Sequence, residues 1–261
     1  MIIKLLVLIT YLAMVAVNIM ANALPINNLS TGEISDLYPN LFTPAGLTFS
    51  IWGLIYLLLA LYILYQFGIF QKDKEKSKES LFQELGGYFI LTSIANMAWI
   101  YAWHYTLVGF SLLVMIFLLI LLIKIANLLN RWDFSLRERI FICLPFTIYF
   151  GWITVATIAN VTAFLVSLNW DGFGVPDRIW TVLIILIGAI IGILRMIKDK
   201  RIAYGLVFIW AYIGILIKHM SSAGFDGEYL CIVIAAIFSI IAFIISGLFL
   251  LKEKKNEKKR I

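Results

Sequence analysis

Residues 140–167 read IFICLPFTIYFGWITVATIANVTAFLVS. The stretch has no Asp, Glu, Lys or Arg, and it exceeds the roughly 20 residues that cross a hydrocarbon core. In hydrocarbon each backbone N–H and C=O must be bonded within its own segment, so the stretch is a helix. As a helix it sets Tyr149, Trp152, Ala156 and Asn160, which step by three or four, along one face. Leu or Ile is enough to face lipid; a face of large rings ending in an amide needs another reason.

The rest of the chain has the same character. It has 261 residues, of which 62% are hydrophobic and 14% charged, whereas a soluble domain is nearer half apolar and a quarter charged. A membrane barrel would show short alternating strands, and none appear. Eight apolar runs are long enough to span, at residues 3–24, 45–69, 82–104, 107–129, 140–167, 177–197, 202–220 and 229–251. The reading is an all-α integral membrane protein with about eight transmembrane helices.

Charge sets the orientation. With the N-terminus in the cytoplasm, all but Arg178 and Lys218 of the 21 Lys and Arg fall on the inner side, if Lys124 snorkels to that boundary. Outer loops instead carry Glu33, Asp36, Asp171, Asp177, Asp226 and Glu228. This pattern needs an even number of spans and places both termini in the cytoplasm. The net charge of +6 is therefore a topology signal and calls for no nucleic acid. The inner loop at 72–80 reads as a solvated charge run, and the basic tail at 252–261 as disordered past its first turn, with a chance to touch anionic lipid. Lys4, an apolar run and Ala21-Asn22-Ala23 have the look of a cleavable signal, but the run is long for one and is interrupted by Tyr11 and Asn18, so it is read as the first span. Cys143 and Cys231 both lie within spans and imply no disulfide framework.

Two further stripes accompany the first. One holds Phe49, Trp52 and Tyr56; the other holds Asn96, Trp99 and Trp103. Trp52 sits about seven residues below the outer start of its helix, roughly 10 Å at 1.5 Å per residue. Asn96 and Asn160 lie about as far from the outer ends of theirs, so rings and amides share one depth in the outer half of the membrane. Trp132, Trp170 and Trp180, at span ends, belong to the interfacial aromatic belt. His104 and His219 fall at outer helix ends and read as interfacial. No metal-ligand spacing, phosphate-binding loop, buried charge pair or nucleophile with a base is visible, so neither an enzyme nor an ion-coupled transporter is indicated. The stripes fit a small-molecule pocket or plain helix packing, and the residues alone leave both open.

The stripes resemble the translocator protein family, also called tryptophan-rich sensory proteins. Its second helix follows a Pro-containing loop with an aromatic, a Trp and a Tyr, here Pro44, Phe49, Trp52 and Tyr56. Its third carries Asn-x-x-Trp, here Asn96 and Trp99. Its fifth carries Tyr-x-x-Trp-x-x-x-Ala-Thr-x-x-Asn, here Tyr149 through Asn160. Departures are Ile148 where the family has Pro (here Pro145), Thr43-Pro44 for a Pro pair, and a loop rich in Asn and acid. No cholesterol motif ends the fifth helix; Val207, Tyr212 and Lys218 fit only its loose pattern, as chance allows.

The resemblance implies a five-helix bundle over residues 1–170, three additional helices at 171–251 and a basic cytoplasmic tail at 252–261. It implies a membrane sensor that needs no cofactor and binds a flat hydrophobic ligand, a tetrapyrrole such as protoporphyrin or haem, in a pocket that holds Trp52, Asn96, Trp99 and Trp152; with the rest of the stripes and their lead-in, Pro44, Phe49, Tyr56, Trp103, Tyr149, Ala156 and Asn160 complete the candidate ligand-binding set. A permease for a small apolar compound and a structural partner-docking protein are the alternatives. The lipid bilayer and the ligand are the expected partners, with a homodimer as a possible assembly and a bacterial cell membrane as the expected location.

The charge count is directly testable. In a background lacking the native thiols, Asp171→Cys is expected to react with an impermeant maleimide on intact cells, and Arg137→Cys only after lysis. The opposite labelling would reverse the topology.

Overall fold

A computed structural model describes residues 1–23, 26–71 and 78–259. Among them there is no strand, and eight helices are long and apolar enough to cross a membrane. They are α1 (Ile2–Ala23), α2 (Ile51–Gln66, led in by a 3-10 turn at Gly46–Ser50), α3 (Glu79–His104), α4 (Val108–Leu129), α5 (Leu144–Ser167), α6 (Asp177–Asp199), α7 (Ile202–Met220) and α8 (Leu230–Lys259). These are the eight expected runs, so the all-α membrane reading holds. Most of the 72–80 loop, residues 72–77, and the last two residues of the tail lie outside the described residues.

Two differences at the edges have physical causes. α8 runs to Lys259 where a disordered tail was expected. Every residue from Lys252 to Lys259 except Asn256 is Lys or Glu. Both are good helix formers, and no Gly or Pro intervenes, so the helix has reason to continue past the hydrocarbon. The start of α5 is widened: a π turn occupies Arg139–Cys143 immediately before Leu144. Pro145 has no N–H to return to Phe141, and the lost helical bond is absorbed in that wider turn.

The chain divides into two compact units. One contains Met1–Tyr38 and Ile51–Phe164; the other contains Pro39–Ser50 and the chain from Leu165 onward. The part that carries the family's motifs thus gives a short segment, Pro39–Ser50, to the second unit. We refer to it as the strap.

In the first unit α3 packs against both α1 and α4. Gly86 lets α1 close on α3, because a Cβ there would stand 3.0 Å from Ile3 and 3.3 Å from Val7. Tyr62, Phe89 and Phe146 fill the inner half of the unit with edge-to-face rings at 4.9–5.9 Å, a favoured aromatic geometry. In the second unit α6, α7 and α8 pack on one another. The ring of Phe243 from α8 lies over Gly192 of α6, where a Cβ would come within 2.6 Å of it, and stacks on Phe208 of α7.

Lys78 corrects the reading of the inner loop as wholly solvated. Its side chain is 12% exposed and pairs with Glu138, whose side chain is 4% exposed, and its ammonium also donates to the Asp133 carbonyl. Glu138 is held there because it closes a capping box with Ser135 at the short helix Leu136–Glu138. Removing one member of such a pair strands the other charge. Lys78→Ala is expected to cost about 3 kcal/mol, and Lys78→Ala with Glu138→Ala clearly less, in reversible unfolding from mixed micelles. A double variant no more stable than the single one would show that the pair does not act as a unit.

Candidate functional site

The three stripes separate into a ring cluster, an amide clasp and a latch. The ring cluster joins α2 and α5. Trp52 stacks on Tyr56 with centroids 5.6 Å apart, and meets Tyr149 and Trp152 edge-on at 6.0 and 6.3 Å. Tyr149 and Trp152 are buried, while Trp52 and Tyr56 keep part of their surface open.

Beneath the rings lies a polar seam. Asn96 of α3 is fully buried, and its Oδ1 accepts from Asn18 Nδ2 of α1 at 2.7 Å. Asn18 Nδ2 also donates to its own helix at the Met14 carbonyl. Tyr11 of α1 donates its hydroxyl to the Tyr56 carbonyl at 2.9 Å. The Tyr149 hydroxyl faces Asn96, and the phenols of Tyr149 and Tyr11 lie near that of Tyr56. Neither the Tyr56 hydroxyl, the Tyr149 hydroxyl nor Asn96 Nδ2 has a hydrogen-bond partner of good geometry. Three buried donors, from three helices, are left open at one place in the core. Burial without a partner costs on the order of 1–3 kcal/mol per group.

Asn160 makes the amide clasp. Its Oδ1 accepts from Trp99 Nε1 and from Ser111 Oγ, each at 3.3 Å, and its Nδ2 donates to Ser111 Oγ at 3.1 Å. α3, α4 and α5 are joined there. The geometry makes Asn160 a brace, with its polar atoms turned to neighbouring helices.

Trp103 and His104 form the latch on the outer loop. Trp103 stacks on Trp99 at 5.8 Å and donates its indole N–H to the Thr31 carbonyl. His104, expected as an interfacial residue, is fully buried. Its Nδ1 lies 2.9 Å from the Ile26 carbonyl, which can only accept, so Nδ1 carries the proton and Nε2 is left to accept from Thr31 Oγ1 at 3.1 Å. Asn27 Nδ2 donates to the His104 carbonyl. The loop covers this histidine because its own backbone needs those partners. The short helix Thr31–Asp36 that follows opens on a capping box of Ser30 and Glu33, and hydrogen bonds from the Ser30 backbone N–H and side chain hold the Glu33 carboxyl below the usual carboxylate range.

Of the remaining expected residues, Ala156 is half-buried on α5, while Pro44 and Phe49 belong to the strap of the second unit. Asn18, Tyr11 and Ser111 were missed by the stripes. Asn18 left a signal, since a lone amide inside an apolar span must find a partner. Tyr11 and Ser111 left none, because a Ser can bond its own helix and a Tyr can carry its hydroxyl toward an interface. In the loose cholesterol pattern, Tyr212 is buried and donates its hydroxyl inward to the Ile185 carbonyl, 2.7 Å away.

Apolar spans outside, with rings and amides inside, define a multi-pass helical membrane protein. The chain belongs to the TSPO-like protein family, whose model matches residues 4–249. The match runs through all eight spans, so α6–α8 lie within the family pattern. No curated protein and no solved structure matches the chain.

The clasp gives a clear expectation. Asn160→Leu removes the acceptor of the Trp99 N–H and should cost about 1–2 kcal/mol. Ser111→Ala should cost less, because Trp99 keeps its acceptor. Thermal unfolding in detergent reads both, and an Asn160→Leu protein as stable as the wild type would remove Asn160 from this role.

Proposed function

We propose that the protein is a membrane sensor that binds a flat, mostly apolar molecule, a tetrapyrrole such as protoporphyrin or haem, in the ring cluster of the first unit. The observation that carries this reading is the set of open donors beneath the rings: the Tyr56 and Tyr149 hydroxyls and Asn96 Nδ2. Helix packing alone explains rings in contact, but it gives no reason to bury three donors without acceptors. A planar ligand with a carbonyl or carboxylate edge answers both features, since one face stacks on Trp52, Trp152 meets it edge-on, and its polar edge accepts from the seam. Trp52, which keeps part of its surface open, is the ring placed to turn aside on entry.

Membership in the family supports the same ligand class. The reading assigns sensing rather than flux, because among the described residues no buried charge pair accompanies the site, and the sequence carries no internal repeat. The protein needs no cofactor for this role, and the membrane it occupies is a bacterial cell membrane.

Titration with protoporphyrin, followed by quenching of Trp emission and by the porphyrin's own absorption, tests the proposal. Trp52→Ala with Trp152→Ala should weaken binding at least tenfold, for the loss of one stacked and one edge-on ring contact of about 1 kcal/mol each. Tyr149→Phe should weaken it about five- to tenfold for one hydrogen bond. Wild-type affinity in both variants would sink the proposal. Uptake into proteoliposomes at a rate above that of empty vesicles would replace sensing by transport.

A further inference from the structure

The strap is irregular backbone up to its 3-10 turn at Gly46–Ser50, and the buried part of such a segment must find hydrogen-bond partners. Phe42 and Thr48 are only 1% and 2% exposed. Within the strap, Asn40 Oδ1 accepts from the N–H groups of Phe42 and Thr43, and Thr48 N donates to the Ala45 carbonyl. Three more contacts come from α7. Ala45 N donates to the Gly214 carbonyl at 3.0 Å, Trp210 Nε1 donates to the Thr48 carbonyl at 2.9 Å, and His219 Nε2 donates to the Leu41 carbonyl at 2.9 Å.

The three points spread over about 13 Å of α7 at 1.5 Å per residue. Between them the strap lies directly on the helix backbone. A Cβ at Gly214 would collide with Thr48 and would stand 2.9 Å from Pro44. A glycine at 214 is therefore what admits Pro44 and Thr48. His219 is itself fixed by ring contacts to Phe225 at 4.7 Å and Tyr229 at 5.9 Å, from the loop that leads into α8.

The strap has one continuation. Ser50 is followed by Ile51, the first residue of α2, and then by Trp52. We infer that α7 is the anchor of the strap, and that Trp210, Gly214 and His219 are positioning residues for the segment that runs into Trp52. α7 then has a task in ligand binding through chain connectivity: it holds the lead-in to the principal ring of the site. The ligand half of this inference rests on the function proposed above.

The test uses the full chain in lipid nanodiscs and two independent readouts. Hydrogen exchange of a peptide covering residues 39–50 reports whether the strap is docked. Protoporphyrin affinity, read from the porphyrin's own absorption, reports the consequence. Trp210→Phe keeps a ring on α7 and removes only the N–H; it is expected to speed strap exchange and weaken porphyrin binding, each about five- to tenfold, as for loss of one hydrogen bond. Gly214→Leu is expected to release the strap entirely, with a larger loss in both readouts. If Gly214→Leu does not fold, Trp210→Phe still decides. Unchanged strap exchange in a folded Trp210→Phe protein overturns the anchor, and faster exchange with unchanged affinity overturns the positioning role. A wild type that binds no porphyrin fails the function reading and the ligand half together, while strap exchange continues to decide whether α7 is the anchor.

Discussion

An amide placed in hydrocarbon has to find its partner inside the protein, and much of the first unit is arranged by that requirement. Asn18 meets Asn96 across α1 and α3. Asn160 gathers Trp99 and Ser111 across α3, α4 and α5. Hydrophobic association cannot choose one register of apolar helices in lipid over another, because lipid tails are as apolar as Leu. The polar contacts can, since each is satisfied at one setting of the helices. The rings of α2 and α5 then close over a seam whose depth the amides have fixed.

The same rule explains why the exceptions matter. Tyr56, Tyr149 and Asn96 keep donors without good acceptors, at the place where four aromatic rings from two helices converge. Thr92, Ser93, Thr147 and Thr154 of the first unit cap themselves on carbonyls of the preceding turn, while the Tyr62 hydroxyl is a further buried group without a partner. Under the proposed function, an acceptor on the ligand would answer these three donors, which lie together among the rings. In the second unit the logic returns with backbone groups: Phe42, Thr43, Pro44 and Thr48 of the strap are buried, and α7 supplies partners to the backbone of Leu41, Ala45 and Thr48.

The spans and their order were legible in the sequence. Tyr149, Trp152 and Asn160 could be put on one face of α5, and the face does turn inward. What could not be read was which residue each would meet. Asn160 was grouped with the pocket by spacing, depth and motif, to orient a ligand's edge or brace the helices, and its partners Ser111 and Trp99 give the bracing contacts. Trp103 and His104 were placed by depth, as a site residue and an interfacial one, and both turn out to fasten the outer loop. Pro44 and Phe49 were assigned by motif to the same site as Trp52, while packing gives them to the unit built by α6–α8.

By itself, the sequence determined the solvent and the secondary structure. Hydrocarbon admits only segments that bond their own backbone, so eight long apolar runs could only be helices. Only the tertiary structure decided the pairing of amides, the open donors and the docking of the strap on Gly214. Each depends on a contact between residues far apart in the chain, and periodicity reports which face a side chain lies on without naming what lies opposite.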